Sequence, residues 1–327
     1  METNKLKQNI SISTEPWPEG LYPMSVRMKD SRRRYMTSAH VSISPLPPQT
    51  LVYETRDSFP SAGVTLDKNI SQLNLLIPPG TYQVTCEKAD EKVTTEVTVV
   101  DPLAAIISKP WKDGRDFYYR DQRWDRYILR ENSYNRVVIN ENDRVLDLGA
   151  HIGIFARTAL AAGATVACYE PEVINYKLLQ MNGTLYGDKF FSVNSAVVAD
   201  DSDFALAGFA SLWIDADGDG DSGRSALHSL YRTRGARLPV NVSVVSWSQI
   251  LKDFNPTILK VDVEGAELSY DWRALSECND LRTVALEIEN KQSQEDDKQR
   301  IIESLKDLGF TLIKETNGWS TVQHWER

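Results

Sequence analysis

The alternation of hydrophobic and polar positions changes rhythm once along the chain, near residue 105. In LNLLIPPGTYQVTCEKADEKVTTEVTVV, residues 73–100, Tyr82, Val84 and Cys86 fall on one side of a strand. Val93, Val97 and Val99 alternate likewise after a polar break at Lys88 to Glu91, which predicts a hairpin with one buried face. The first fifty residues are rich in Ser, Thr and Pro, and Pro45, Pro47 and Pro48 exclude long helices there. Asp101-Pro102 closes this part. A β-rich accessory domain is therefore expected over 1–105 and a second domain over 106–327.

After the boundary, strand-like and helix-like patterns take turns. FYYRDQRWDRYILRENSYNRVVI reads as a lead-in helix, RVLDLG as a strand before helix IFARTALAAG, and TVACYE as a strand before helix VINYKLLQMNG. FFSVNSAVV follows as a strand, TILKVDV leads into helix AELSYDWRALSEC, and LRTVALEIE leads into helix DDKQRIIESLKDLG. FTLIKET and STVQHW finish the chain. Apolar strands separated by helical patterns are what a parallel sheet covered on both faces requires, so the expected fold is α/β, doubly wound and Rossmann-like.

Composition adds bounds to this picture. At 327 residues, two domains are the natural expectation, and 41% hydrophobic with 25% charged residues is ordinary globular usage. A net charge of -9 disfavours a broad electrostatic grip on nucleic acid. The basic run Arg32–Arg34 is read as a solvated segment. Cys86, Cys168 and Cys278 share no metal-like spacing and read as buried thiols in a reducing compartment. With no signal-like or membrane-spanning apolar stretch, a soluble cytoplasmic protein without a membrane partner is expected.

The sharpest chemical signal is Val145-Leu146-Asp147-Leu148-Gly149-Ala150-His151-Ile152-Gly153, a strand running into a glycine-bearing turn and a helix. Such a turn lets backbone approach a ligand and offers free N–H groups at the helix start. The spacing lacks the G-x-G pair of dinucleotide enzymes, which disfavours hydride chemistry. Glu170-Pro171 ends the next strand, 23 positions after Asp147, where an acidic side chain can accept both hydroxyls of a ribose. A third run, Lys260-Val261-Asp262-Val263-Glu264-Gly265-Ala266-Glu267, sits at the end of a central strand, where ligands of open α/β sheets bind.

These three runs, in this order, resemble the FkbM-type methyltransferases, with their V-L-D-x-G-A-N-x-G turn, E-P strand end and K-x-D-x-E-G-x-E run. The likeness extends from about Tyr134 to Glu289, with Asn182 and Asn194-Ser195-Ala196 in their expected places, and His151 stands where the family usually has Asn. The resemblance implies methyl transfer from S-adenosylmethionine to a hydroxyl oxygen, on a glycan or a small metabolite. It places Asp147, Gly149, Ala150, His151 and Gly153 around the methionine portion of the cofactor, Glu170 at the ribose, and Ser195 or Ala196 at the adenine edge. The phrase PPGTYQVTCE in the first domain resembles the strand entry of immunoglobulin-like β-sandwich modules.

A methyl transfer needs the acceptor oxygen held in line and its proton removed. Asp262 is the first candidate base, because strand alternation from Lys260 points Lys260, Asp262 and Glu264 to one side. Glu264 and Glu287 are alternates. Asp262 could instead only orient loops or cofactor, and Lys260 could be an ion-pair partner within the sheet. Asp262, Glu264 and Glu287 could also gather a divalent cation, a metal-assisted variant that nothing in the spacing demands. The run Asp215–Asp221 imitates the start of a calcium loop but has Ala226 where the bidentate Glu belongs, so it reads as a mobile loop. That loop, with Arg224 and His228, could instead form a lid. No Asn/Asp-Pro-Pro-aromatic clamp for a nucleobase amine occurs, which with the acidic charge points away from nucleic acid. The competing class is a non-catalytic binding or assembly protein that keeps the fold.

Overall fold

The computed structural model describes residues 21–26, 36–52, 58–66, 72–99, 101, 103–104, 106–121, 123–131, 133–215, 229–230, 237–289, 295–317 and 320–327. The Arg32–Arg34 run, the calcium-like stretch beyond Asp215, Arg224 and His228 lie outside them. The chain divides into two compact units. One comprises Met1–Ala105 with Ile214–Arg224 and Arg234–Asn241; the other comprises Ile106–Trp213, Ser225–Thr233 and Val242–Arg327.

The described part of the first unit carries β1 (Tyr22–Val26), β2 (His40–Ser44), β3 (Leu51–Val52), β4 (Val64–Thr65), β5 (Leu73–Ile77), β6 (Gly80–Lys88) and β7 (Glu91–Val99). They form two antiparallel sheets, in the orders β1-β5-β3 and β4-β2-β6-β7. Tyr82, Val84 and Cys86 point inward as the alternation predicts, and they share one core with Met24, Val26, Leu75 and Ile77 of the other sheet. The β6–β7 hairpin turns at Ala89, whose φ of 51° gives the left-handed bend that a two-residue loop requires.

The second unit begins with a hairpin of β8 (Ile106–Pro110) and β9 (Asp116–Arg120), followed by α1 (Arg123–Glu131). Then come β10 (Arg144–Leu148), α2 (Ile154–Ala161), β11 (Thr165–Tyr169), α3 (Val173–Gly183), β12 (Phe190–Val193), β13 (Ala196–Val198) and α4 (Asp203–Ala207). β14 (Phe209–Asp215) and β15 (Arg237–Ser246), whose residues 214–215 and 237–241 count with the first unit, are followed by α5 (Trp247–Phe254), β16 (Ile258–Val261), β17 (Thr283–Glu289), α6 (Glu295–Asp307), β18 (Thr311–Asn317) and β19 (Ser320–Glu326). The central sheet runs β12-β11-β10-β16-β17-β19-β18. Its first five strands are parallel, and β19 is antiparallel to both neighbours, so the sheet is mixed. Val145, Leu146, Leu148, Ile258, Leu259, Val261, Val284, Leu286 and Ile288 are wholly buried, as strands covered on both faces must be. No described helix is long and apolar enough to cross a membrane. The three cysteines are free and buried, and burial pushes all three thiols above their ordinary range.

Three elements depart from the sequence expectation. The stretch read as a lead-in helix is helical only in Arg123–Glu131, because Phe117 and Arg120 face inward from a strand. Buried Arg120 donates through Nε and Nη2 to the Asp125 carboxylate at 2.9 Å each and to Asn175 Oδ1 at 2.7 Å, which ties β9, α1 and α3 together. FFSVNSAVV is two strands in different sheets: β12 pairs with β11, whereas β13 pairs with β15. AELSYDWRALSEC forms two short 3₁₀ stretches, Ala266–Ser269 and Trp272–Glu277, that bury Trp272 and Tyr270 against Trp247. Packing of large aromatics overrides helix propensity there.

Candidate active site

Strand order reverses at β10, whose neighbours are β11 on one side and β16 on the other, so the crevice of this sheet opens beyond the C-terminal ends of these strands. The turn after β10 has three residues with left-handed backbone: Gly149 (φ 68°), His151 (φ 52°) and Gly153 (φ 89°). A Cβ on Gly149 would lie 1.7 Å from the Asp262 carbonyl oxygen, and one on Gly153 would lie 2.8 Å from a Leu179 methyl. Gly149 is thus demanded by a backbone contact as well as by φ, whereas at Gly153 the neighbour is the end of a side chain and φ is what demands glycine. The Asn182 side chain, on α3, bonds Ile152 O and both backbone groups of Tyr118 at 2.7–2.8 Å, which clamps the turn to β9.

Glu170 meets this turn directly. Its Oε2 accepts from His151 N at 2.8 Å, and its Oε1 accepts from Glu172 N at 2.9 Å. A carboxylate has about four lone-pair sites, so two such bonds leave acceptor capacity on each oxygen. Burial pushes the Glu170 carboxyl up to about 7, opposed by those two backbone N–H bonds. Asn194 Nδ2 donates to the carbonyls of Glu170 and Pro171 at 2.8 and 3.0 Å, so buried Ser195 and Ala196 follow a loop anchored beside Glu170. Burial holds the His151 imidazole at about 4, hence neutral near pH 7.

Asp147 and Lys260 are register partners on β10 and β16, and their charged atoms lie 3.0 Å apart with side chains 0% and 4% exposed. Lys260 Nζ also donates to the carbonyls of Leu148 and Gly149 at 3.2 and 2.7 Å, so it ties the strand to its turn. Burial disfavours its charge, but Asp147 and Asp262 hold the ammonium above its ordinary range; the Asp147 carboxyl is raised by the same burial. Asp147 therefore points into an ion pair inside the sheet.

The alternation that grouped Lys260, Asp262 and Glu264 breaks down after Val261. β16 ends there, and Glu264 sits in a left-handed turn (φ 56°) followed by Gly265 (φ 106°). The Glu264 carbonyl accepts from Ser229 Oγ at 2.6 Å, and Glu267 caps the same turn through Gly265 N at 2.8 Å. Asp262 keeps its place beside Lys260 at 3.6 Å, with its side chain 26% exposed. Glu287 stands on the next strand, where Ser320 Oγ donates to its Oε1. Tyr134 joins Asp262 to Glu287: its hydroxyl lies 3.0 Å from Asp262 Oδ2 and 3.4 Å from Glu287 Oε2. Neither Tyr134 nor Ser320 carries a sequence signal, since Tyr134 comes from an irregular segment and Ser320 opens β19, both outside the three motifs. Among the described residues, no three His, Cys, Asp or Glu side chains form a group that could hold a metal, so Asp262, Glu264 and Glu287 do not gather into one.

A family model described as the Methyltransferase FkbM domain matches residues 147–312, half of the chain. No curated protein matches the chain significantly. Among solved structures, the Methanococcus jannaschii fibrillarin pre-rRNA processing protein aligns at 12% identity and TM-score 0.37, over 76% of this chain and 95% of its own. The SAM-bound magnesium protoporphyrin IX methyltransferase of Synechocystis PCC 6803 aligns at 17% identity and TM-score 0.30, over 57% and 70%. Sp1610 of Streptococcus pneumoniae, described as a candidate tRNA (m1A22) methyltransferase, aligns at 11% identity and TM-score 0.31; this chain covers 65% of its length. At such scores these alignments add no argument to the strand order and the family match.

Proposed function

Because the chain belongs to the FkbM methyltransferase family, we propose that it transfers the methyl group of S-adenosylmethionine to a hydroxyl oxygen of a glycan or small metabolite. The observation that carries this reading is the 2.8 Å bond between His151 N and Glu170: the turn and the acid form one cradle at the switch point of the sheet. Glu170 retains acceptor capacity for two ribose hydroxyls, the Gly149–Gly153 turn lies where the methionine portion would sit, and Ser195 and Ala196 follow at the adenine edge. The bound cofactor supplies an electrophilic methyl on sulfur. The chain has to align the acceptor and take its proton, and Asp262, the most exposed acid of the Lys260 cluster, suits that task, with Glu287 and Glu264 as alternates.

Calorimetric titration with S-adenosylmethionine and its demethylated product tests the cradle. Wild type is expected to bind both, and Glu170→Ala to bind ~1–3 kcal/mol more weakly through lost hydrogen bonds. Equal affinities would remove Glu170 from the site. Labelled methyl transfer to panels of sugars, small alcohols and RNA separates acceptor classes; the charge of -9 favours the hydroxyl compounds over a polyanion.

For the first unit, an immunoglobulin-like accessory role is our inference. The order β2-β6-β7 within the sheet β4-β2-β6-β7 supports it as the C-F-G order of such folds, and β1-β5-β3 as the B-E-D order. The Tyr82 hydroxyl donates to Pro78 O at 2.8 Å, four residues upstream, in the manner of a tyrosine corner. Presenting the acceptor, binding carbohydrate or mediating assembly are the roles such a module could serve.

A further inference from the structure

The geometry points to Tyr134 as a positioning residue that holds one oxygen of Asp262 and leaves the other to receive the acceptor's proton, a role that rests on the methyl transfer proposed above. Two groups approach Asp262, and both reach the same atom. The Tyr134 hydroxyl lies 3.0 Å from Oδ2, and Lys260 Nζ lies 3.6 Å from Oδ2. No described residue bonds Oδ1. Of the three charged side chains in this row, Asp147 and Lys260 are 0% and 4% exposed, whereas Asp262 is 26% exposed. The unengaged oxygen thus belongs to the most exposed member of this row.

A phenol has a single hydrogen to donate. The 3.0 Å contact to Asp262 is a normal O–H···O length, and the 3.4 Å contact to Glu287 is longer than such bonds run, so the hydrogen belongs on Asp262. Glu287 is occupied on its other oxygen by Ser320. The ring is fixed as well. Phe155 meets it edge-on at 5.7 Å, and the Lys260 ammonium lies over its face at 5.5 Å. Burial and the neighbouring carboxylates hold the phenol well above its ordinary range, so it remains a donor under working conditions.

In the transfer, the acceptor O–H bond breaks and its electron pair forms the new bond from oxygen to methyl carbon. The old carbon–sulfur pair stays on sulfur, and the proton ends on Asp262 Oδ1, from which it leaves to water. Tyr134 touches neither substrate nor cofactor in this scheme; it keeps Oδ1 turned outward.

Tyr134→Phe removes one oxygen and keeps the ring packing. Methyl transfer to the best acceptor of the hydroxyl panel is expected to lose about tenfold in kcat. KM and calorimetric affinity for S-adenosylmethionine should stay at wild-type values. An unchanged kcat, or a loss of cofactor affinity as large as the loss in rate, would overturn the role. A second readout needs no acceptor. The ultraviolet difference between wild type and Tyr134→Phe isolates the ionisation of this phenol, and in Asp262→Asn that ionisation should occur at lower pH because a neighbouring negative charge is gone. Identical curves would overturn the proposed bond. Failure of wild type to bind S-adenosylmethionine would sink the methyl-transfer reading, and the proton-accepting role with it, while the titration still tests the Tyr134–Asp262 contact separately.

Discussion

The His151 imidazole carries a signed pH effect. Burial lowers it from 6.5 to about 4, so as the pH falls through 6.5 an unfolded chain takes up a proton that the folded chain refuses until about 4. Folding loses stability across that window and keeps it in full above pH 6.5. Asparagine also tolerates the left-handed backbone at this position. In urea unfolding, His151→Asn should therefore gain on wild type between pH 7 and pH 4.5; a difference independent of pH would show that the ring is hydrated. Lys260 makes a second test at this scale. Removing one partner of a buried pair strands the other charge, so Lys260→Met should cost ~3–5 kcal/mol of stability. Lys260→Met with Asp147→Leu should recover most of that loss, measured by the same unfolding curves. A single variant as stable as wild type would mean that Asp147 is already neutral.

At the scale of elements, the turn after β10 is set by contact as much as by propensity. Gly149 has both a φ of 68° and the Asp262 carbonyl in the space of its missing side chain. Gly149→Ala is expected to cost at least ~1–3 kcal/mol from the left-handed backbone alone. It should also push the ends of β10 and β16 apart, which S-adenosylmethionine titration would register as weaker binding. Full affinity in this variant would show that the turn does not touch the ligand. Element types were legible wherever apolar periodicity was long, as in β10, α2, β11, α3 and α6. They were misread where long-range partners decide: Arg120 and Phe117 are inward residues of a strand within a helix-like stretch, and Asp262 lies one residue past a strand whose alternation seemed to continue.

Among the described residues, one core is shared by the two antiparallel sheets of the first unit and another packs against the mixed sheet of the second. Separate cores predict departure from two-state unfolding. Scanning calorimetry should give a calorimetric enthalpy larger than the van't Hoff enthalpy, and equality of the two would mean a single cooperative unit.

By itself the sequence determined which segments could be strands or helices and which three runs carry chemistry, because glycine-bearing turns, strand-end acids and apolar periodicity are local properties. Tertiary structure decided which acids have partners. It set Lys260 between Asp147 and Asp262, turned Glu264 out of the row, and brought Tyr134 from an irregular segment onto Asp262. Hydrogen bonds and ion pairs act over a few ångströms between residues as far as 144 positions apart, and distance in space is a property of the fold.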